Sequence, residues 1–563
     1  MVWQQLYDPF SNQILSTIIA SIPVVVLLGL IAWGAIQAHW AAMLALASAA
    51  AVAILGFGMP WELAAKASFL GLLTGLFPIG WIVLNVIFLY RLTVANGSFQ
   101  TLQKSIASIT PDRRLQLLLI AFAFGAFFEG AAGFGTPVAV TGAILIGLGF
   151  SPLAASGLAL IANTAPVAYG ALGTPIVTLA SVMHLSQNVD VDAFKLGAMV
   201  GRQLPFFSVL VPFWLIWAFA GFRGMAGIVP AILVCGVSFA VPQFLISNYH
   251  GPWLVDVGAA LVSMLCLTLF LKVWRPKEIW TSAALYNRHD DSRVEQTIAP
   301  ETTTIHDGST QDVIKAWLPW AILCVFVLVW GSVWFKTAVD PMYGPKIQIS
   351  GLHEMIEKVP PVVPAAAKEA AEFKFNILTM TGTGIFLAAI VSGLVMGFGP
   401  LALMRHYFQT LWKVRTSLIT IAAMLALGTL TRYSGLDATL GLAFAHSGWM
   451  YPFFGTLLGW LGVALTGSDT ASNVLFGGLQ KVSSQQLGLS PILMGAANSS
   501  GGVMGKMIDA QSIVVAATAT GWYGHESKIL RFVFWHSIVL ACLVGGLVML
   551  QAYVEPFKSM VIE

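Results

Sequence analysis

Two carboxylates in this chain stand alone in long apolar surroundings. Glu129 is the only charge in the 36 residues from Leu115 to Phe150, and Asp469 is the only one between Tyr451 and Gln480. A charged side chain near mid-bilayer costs about 2.5 to 3.5 kcal/mol on insertion scales, so each of these acids needs a partner or a proton. A carboxyl whose environment changes as the protein moves can take up and release a proton, which is what proton coupling requires. The structural alternative is a carboxylate that caps helix N-termini or pairs with a fixed Arg.

Both acids lie in turn chemistry. Glu129 belongs to Phe-Phe-Glu-Gly-Ala-Ala-Gly-Phe-Gly-Thr-Pro (127–137), with Gly130, Gly133 and Gly135 as candidate hairpin-tip residues. Asp469 belongs to Leu-Thr-Gly-Ser-Asp-Thr-Ala-Ser-Asn (465–473), where Gly467, Ser468 and Thr470 take that place. Non-helical backbone at membrane depth is tolerated only where protein or a water-filled cavity covers it. The stretches 115–150 and 451–480 therefore read as re-entrant hairpins or broken helices.

A second pair of motifs follows. Thirty-four residues after Glu129 comes Asn163-Thr164-Ala165-Pro166-Val167-Ala168-Tyr169-Gly170, and 29 after Asp469 comes Asn498-Ser499-Ser500-Gly501-Gly502-Val503-Met504-Gly505. Interrupted segments at corresponding places in two halves point to an inverted-repeat transporter with its site where the interruptions meet. Tight helix packing through small residues is the other account of the glycines, but it leaves the lone carboxylates unexplained. Helix N-termini at the hairpin tips supply positive potential for a carboxylate substrate, and Asn163, Thr164, Asn498, Ser499 and Ser500 supply hydrogen bonds for a small acid and its hydroxyl. Lys506, directly after the second motif, is the best-placed cation, and Arg202 in Gly-Arg-Gln-Leu-Pro (201–205) is the next. Headgroup anchoring for Arg202, and neutralisation of Asp469 or Asp509 for Lys506, are the competing roles. Lys374 and Arg432 read as interfacial, and His446 as a locally satisfied histidine rather than a proton relay.

The elements that must hold these residues are membrane spans. Of 563 residues, 57% are hydrophobic and 9% charged, with a mean hydropathy of +0.82, so a water-soluble globular protein is excluded. Spans are expected near 13–36, 39–57 and 68–92, followed by a basic loop with Arg91, Lys104, Arg113 and Arg114 against Asp112. The Lys/Arg excess assigns that loop, the polar linker 276–314, and the regions of Arg405, Lys413, Arg415, Lys528 and Arg531 to the cytoplasm. The segment 336–372 carries five acids against four lysines and is expected outside. Both termini are then periplasmic, and the first span, with no Lys or Arg before Lys66, stays as an anchor.

Several classes fall away. A net charge of +3 with basic residues in short loops leaves no nucleic-acid footprint. Cys235, Cys266, Cys324 and Cys542 lie far apart, which supports neither disulfides nor a metal site. Metalloprotease, intramembrane aspartyl protease, Walker and dinucleotide-binding patterns are absent, so an enzyme is not expected.

Taken together, Trp3-Gln4-Gln5-Leu6-Tyr7-Asp8-Pro9, Glu129 to Gly135, Asn163 to Ala168, Gly201 to Phe206, Thr466 to Thr470 and Gly505-Lys506-Met507-Ile508 resemble the bacterial L-lactate permease family from the N-terminus through the last span. The resemblance implies a proton-coupled symporter of the inner membrane that imports lactate, and in some members glycolate or D-lactate. The family in turn resembles a broader ion-transporter group with two inverted repeats and re-entrant hairpins. Thr136, Ser500 and Asp509 stand where the pattern leads one to expect Ala, Thr and Ser, and Asp509 is placed to compete with substrate for Lys506.

The expectation is thus an all-α polytopic membrane protein of about 12 to 14 transmembrane helices in two inverted repeats, 1–275 and 315–563, joined by the linker 276–314. It takes up a 2-hydroxymonocarboxylate with a proton, Glu129 and Asp469 serving the proton, and it needs membrane lipid but no cofactor and no metal. Sodium coupling, a passive monocarboxylate channel and, far behind, a lipid-modifying enzyme are the alternatives. Oligomeric state stays open, a homodimer included.

Overall fold

Apolar runs of this length can satisfy their backbone in hydrocarbon only as helices, and helices are what they form. A computed structural model of the chain describes residues 2–33, 36–131, 133, 135–183, 185–186, 188–286, 310–363, 365–445 and 447–562. His446, most of the linker 276–314, and Ala132 and Phe134 of the first hairpin motif lie outside the described residues.

The first half contains α1 (Gln13–Trp33), α2 (Ala38–Ala51), α3 (Trp61–Thr74), α4 (Trp81–Ala95), α5 (Ser98–Ile109), α6 (Arg113–Ala131), α7 (Thr136–Gly147), α8 (Pro152–Ala162) and α9 (Gly170–Met183). It continues with α10 (Val189–Val200), α11 (Leu204–Ala226), α12 (Val229–Tyr249) and α13 (Val255–Val273). The second half contains α14 (Thr310–Gly331), α15 (Val333–Val339), α16 (Thr381–Val395), α17 (Pro400–Ser434), α18 (Leu436–Ala445) and α19 (Tyr451–Thr466). It ends with α20 (Asp469–Gln486), α21 (Pro491–Gly505), α22 (Ala510–Ala519) and α23 (Glu526–Tyr553).

Among the described residues, eleven helical stretches are long and apolar enough to cross a membrane. The pair Pro152–Ala162 and Val167–Met183, bent by 64°, brings the count up to twelve, the lower end of the expected range. The four cysteines are free, as their spacing predicts.

The order of elements around the two hairpins is alike. In each half a helix ends at a glycine turn (α6, α19), a second helix follows (α7, α20), and a third begins with a Ser-Pro cap (α8, α21) before the chain breaks again. Ser151 Oγ accepts from the Ala154 N–H at 3.1 Å and Ser490 Oγ from the Leu493 N–H at 3.3 Å, each closing a first turn that Pro at its opening position pre-sets. The halves interlock: α9 packs on α20, α10 on α21, and α22 on α7 and α8.

The segment 336–372 does not stay irregular. Strand β1 (Trp3–Gln4) pairs in parallel with β3 (Ile356–Lys358), which also pairs antiparallel with β4 (Ala367–Lys368), while β2 (Lys346–Gln348) pairs with β5 (Glu372–Lys374). This small cap is fastened to the end of α17 by a buried ionic cluster. Glu369 pairs with Lys358 and with Arg432, the latter at 2.9 Å, and Gln5 Nε2 donates to the Arg432 and Tyr433 carbonyls at 3.0 and 2.9 Å. Burial pushes the Glu369 carboxyl up, but Arg432 and Lys358 outweigh it and hold the group at about 2. Arg432, in the last turn of α17, is thus a partly buried cation that ties the cap to the helix end.

Candidate functional site

Each glycine turn delivers a carboxylate to the same place. Helix α6 ends at Ala131, and Gly133 (φ +62°) and Gly135 (φ +82°) turn the chain into α7 through left-handed backbone that only glycine adopts cheaply. Helix α19 ends at Gly467 (φ +72°), Ser468 caps α20 by accepting from the Ala471 N–H at 3.4 Å, and Asp469 is the first residue of α20. An acid in that first turn faces the positive end of the helix dipole.

The second pair of breaks completes the enclosure. After α8 the chain leaves helical form at Asn163, and α9 opens through Ala171 (φ +45°), Leu172 (φ +56°) and Gly173 (φ +77°). Two consecutive non-glycine residues in left-handed backbone cost on the order of 1–3 kcal/mol each, a strain that the surrounding packing sustains. After α21 comes Lys506, and Asp509 caps α22, its Oδ1 accepting from the Ser512 N–H at 2.7 Å.

Between these four breaks lies a cavity of about 30 Å³ lined by Glu129, Gly133, Gly170, Ser468, Asp469 and Lys506 among others. That is room for about two waters, not for an acid of six heavy atoms. Glu129 Oε2 accepts from Asn163 Nδ2 at 3.1 Å. Asp469 Oδ2 accepts from Ser499 Oγ at 2.5 Å and from Asn473 Nδ2 at 3.3 Å, while its Oδ1 has no hydrogen-bond partner among the described residues. Lys506 Nζ donates to the Gly467 carbonyl at 2.5 Å and pairs with Asp509 Oδ2 at 3.2 Å. All four charged side chains are at least nine-tenths buried. A roomier opening of about 760 Å³, lined by Arg114, Arg223, Arg275, Lys277 and Trp280, lies at the opposite end of α6 and contains neither lone carboxylate.

Of the residues singled out from sequence, the structure brings together Glu129, Asp469, Lys506, Asn163, Ser499, Gly133, Gly467, Ser468 and Thr470. Gly130 and Gly135 flank the turn without lining the cavity, and Gly130 packs instead on α13. Thr164 spends its hydroxyl on the Ile161 carbonyl at 2.8 Å. Ser500 is buried, and its hydroxyl has no hydrogen-bond partner among the described residues. Arg202 is not at the site: its guanidinium donates to Asn248 Oδ1 at 3.0 Å and to the Met560 carbonyl at 2.8 Å, on a separate groove beside Phe206 and Phe244. The two Asn motifs also differ in register, since Asn163 ends α8 whereas Asn498 sits inside α21.

Sequence reasoning missed the support behind Asp469. Asn498 Nδ2 donates to Asn473 Oδ1 at 2.8 Å, Gln480 Nε2 to Asn498 Oδ1 at 3.1 Å, and the Tyr451 hydroxyl to Gln480 Oε1 at 2.9 Å. The signal was present as Asp469, Asn473 and Gln480 at helical spacings of four and seven. Asp256 was also missed. It stands second in α13, 1% exposed.

The family profile and the sequence relatives agree with one another. The profile of the L-lactate permease family matches residues 16–555. The chain is 45% identical over 568 residues to the glycolate permease GlcA of Escherichia coli (strain K12), covering 100% of both chains. It is 44% identical over 564 residues to the L-lactate permease of the same organism, covering 98% of each. Among solved structures, Neisseria gonorrhoeae MtrF aligns over 86% of this chain and 83% of that one at 11% identity, with a TM-score of 0.29, too low to bear on the fold. With a family profile over nearly its whole length and two relatives above 40% identity end to end, this multi-span membrane protein belongs to the L-lactate permease family.

Proposed function

We propose that the chain imports L-lactate, with D-lactate and glycolate within its range, by proton symport across a bacterial inner membrane, with both termini periplasmic. The relatives' names supply the substrate class, and the site supplies the reason for a proton. The observation that carries the reading is the charge of the enclosure: Glu129, Asp469 and Asp509 surround one ammonium, Lys506. Three ionised acids and one cation leave an excess of about two negative charges in a desolvated space, and a substrate carboxylate would make it three. An anion can enter such a site only together with positive charge, and protons on Glu129 and Asp469 provide it.

In this reading the two repeats, 1–275 and 315–563, meet at the cavity. Lys506 takes the substrate carboxylate, and the Asn163 amide and the Ser499 and Ser500 hydroxyls offer polar contacts to the 2-hydroxyl. The hairpin tips must part to admit substrate, because the cavity is too small for it. Proteoliposomes with the purified chain test the proposal, given a pH gradient, a sodium gradient, or neither. Concentrative L-lactate uptake with the pH gradient alone is expected. Accumulation driven only by sodium would move the positive charge from protons to a bound cation, and equilibration without accumulation would leave a facilitator. Propionate should compete with labelled lactate more weakly than lactate itself does, and equal competition would sink the hydroxyl contacts.

A further inference from the structure

We propose that Asp256 and Glu129 form a buried carboxyl pair that shares the coupled proton, with Asp256 a second proton station beside the substrate cavity. The inference rests on the proton-symport reading and adds a residue to it. Asp256 is 1% exposed, and neither of its carboxyl oxygens has a hydrogen-bond partner among the described residues. The acids lining the cavity and the acid paired with Lys506 all have at least one: Glu129 has Asn163, Asp469 has Ser499 and Asn473, and Asp509 has the Ser512 N–H.

Packing places the pair together. Gly130, the neighbour of Glu129, lies so close to α13 that a Cβ there would overlap the Asp256 Cβ and the Val257 nitrogen. The titratable groups electrostatically coupled to Asp256 are Glu129 and Tyr169, and Lys506 is coupled in turn to Glu129. Tyr169 is already committed, its hydroxyl donating to the Gly197 carbonyl at 2.7 Å. An acid present only to cap α13 would accept from backbone N–H groups of that turn, and Asp256 accepts from none. Two neighbouring desolvated carboxyls resist double ionisation, so one proton serves both. The transfer breaks an O–H bond on Asp256 and forms one on the Glu129 carboxylate, and a hydronium ion from the side of lower pH then reprotonates Asp256, leaving water.

The test uses the full chain in proteoliposomes, comparing wild type with D256N, E129Q and the double variant in two assays. One is L-lactate accumulation driven by a pH gradient, and the other is lactate–lactate exchange at equal pH. D256N is expected to lose accumulation tenfold or more while exchange stays within about threefold. The double variant should be no worse than the more impaired single, because the two act as one unit. Wild-type accumulation in D256N, parallel loss of both assays in folded protein, or additive losses in the double variant would each overturn the pair. Should D256N fail to fold, D256E takes its place: it keeps a titratable group at altered reach, so the pH midpoint of accumulation should shift, and an unmoved midpoint overturns the pair. If wild type itself does not accumulate lactate with a pH gradient, the symport reading fails first.

Discussion

Lys506 reaches back across the site, so that its ammonium lies 2.5 Å from the carbonyl of Gly467 at the tip of the second hairpin. Lys506, the one cation among the described residues that line the cavity, is therefore shared between a hairpin tip and Asp509, and an arriving carboxylate competes with both. Asp509→Ser removes one competitor while keeping a side chain that can still cap α22. The apparent KM for L-lactate should fall several-fold, and an unchanged or raised KM would show that Asp509 does not hold Lys506 back.

Asp469 depends on Ser499, whose hydroxyl lies at 2.5 Å, more than on Asn473 at 3.3 Å. A hydrogen bond to a charged group contributes about 1.5–3 kcal/mol. Ser499→Ala should cut gradient-driven accumulation by about tenfold or more, and Asp469→Asn should abolish accumulation while exchange persists. Loss of exchange in Asp469→Asn would make that acid a binding group instead.

Gly170 faces the Glu129 carboxyl so closely that a Cβ would overlap Oε1. Gly170→Ala should dislodge Glu129 from Asn163 and reduce uptake at least tenfold at normal expression. Gly546 has nothing within 4 Å of such a Cβ, so Gly546→Ala is the control and should transport within twofold of wild type.

Arg202 binds Asn248 and the Met560 carbonyl away from the cavity. Arg202→Gln should leave the KM for L-lactate within about twofold while lowering the melting temperature. A tenfold rise in KM with unchanged melting would return Arg202 to the substrate.

The cap gives a pH dependence outside the membrane. Glu369 is held at about 2 against an ordinary 4.5, so its contribution is fully present above 4.5 and is lost as pH falls from there toward 2. The contribution is on the order of 3 kcal/mol at neutral pH. Melting of the purified chain should fall across that interval, and Glu369→Gln should start lower and be flatter there. A wild-type curve no steeper than that of the variant would remove Glu369 as the cause.

The hairpins were legible because glycine and lone charge are rare in apolar sequence, and the two signals coincided at Glu129 and Asp469. Lys506 was legible by its place after the second Asn motif. Asp256 was not, because an acid at the start of an apolar helix reads as an ordinary helix-terminal charge, and only packing against Gly130 shows that it is interior. Arg202 misled for the opposite reason: its motif is distinctive, but a guanidinium is long enough to turn toward Asn248 and a carbonyl. The matched Asn motifs misled in register, since sequence spacing cannot tell a residue that ends a helix from one inside it. The cap strands, two or three residues each, are too short to have a periodicity and exist because they pair.

That pairing sets an order of assembly. Strand β1 at Trp3–Gln4 has its partner at Ile356–Lys358, and Gln4 Nε2 reaches Glu357 across 353 positions of sequence. At about 5 to 20 residues per second, the ribosome takes on the order of 20 to 70 seconds to supply that partner. The first strand waits unpaired until then, so the cap closes only after more than half of the chain has been made. A chain that inserts its first residues on the wrong side cannot close the cap at all, which makes the cap a check on insertion as well as a fastening.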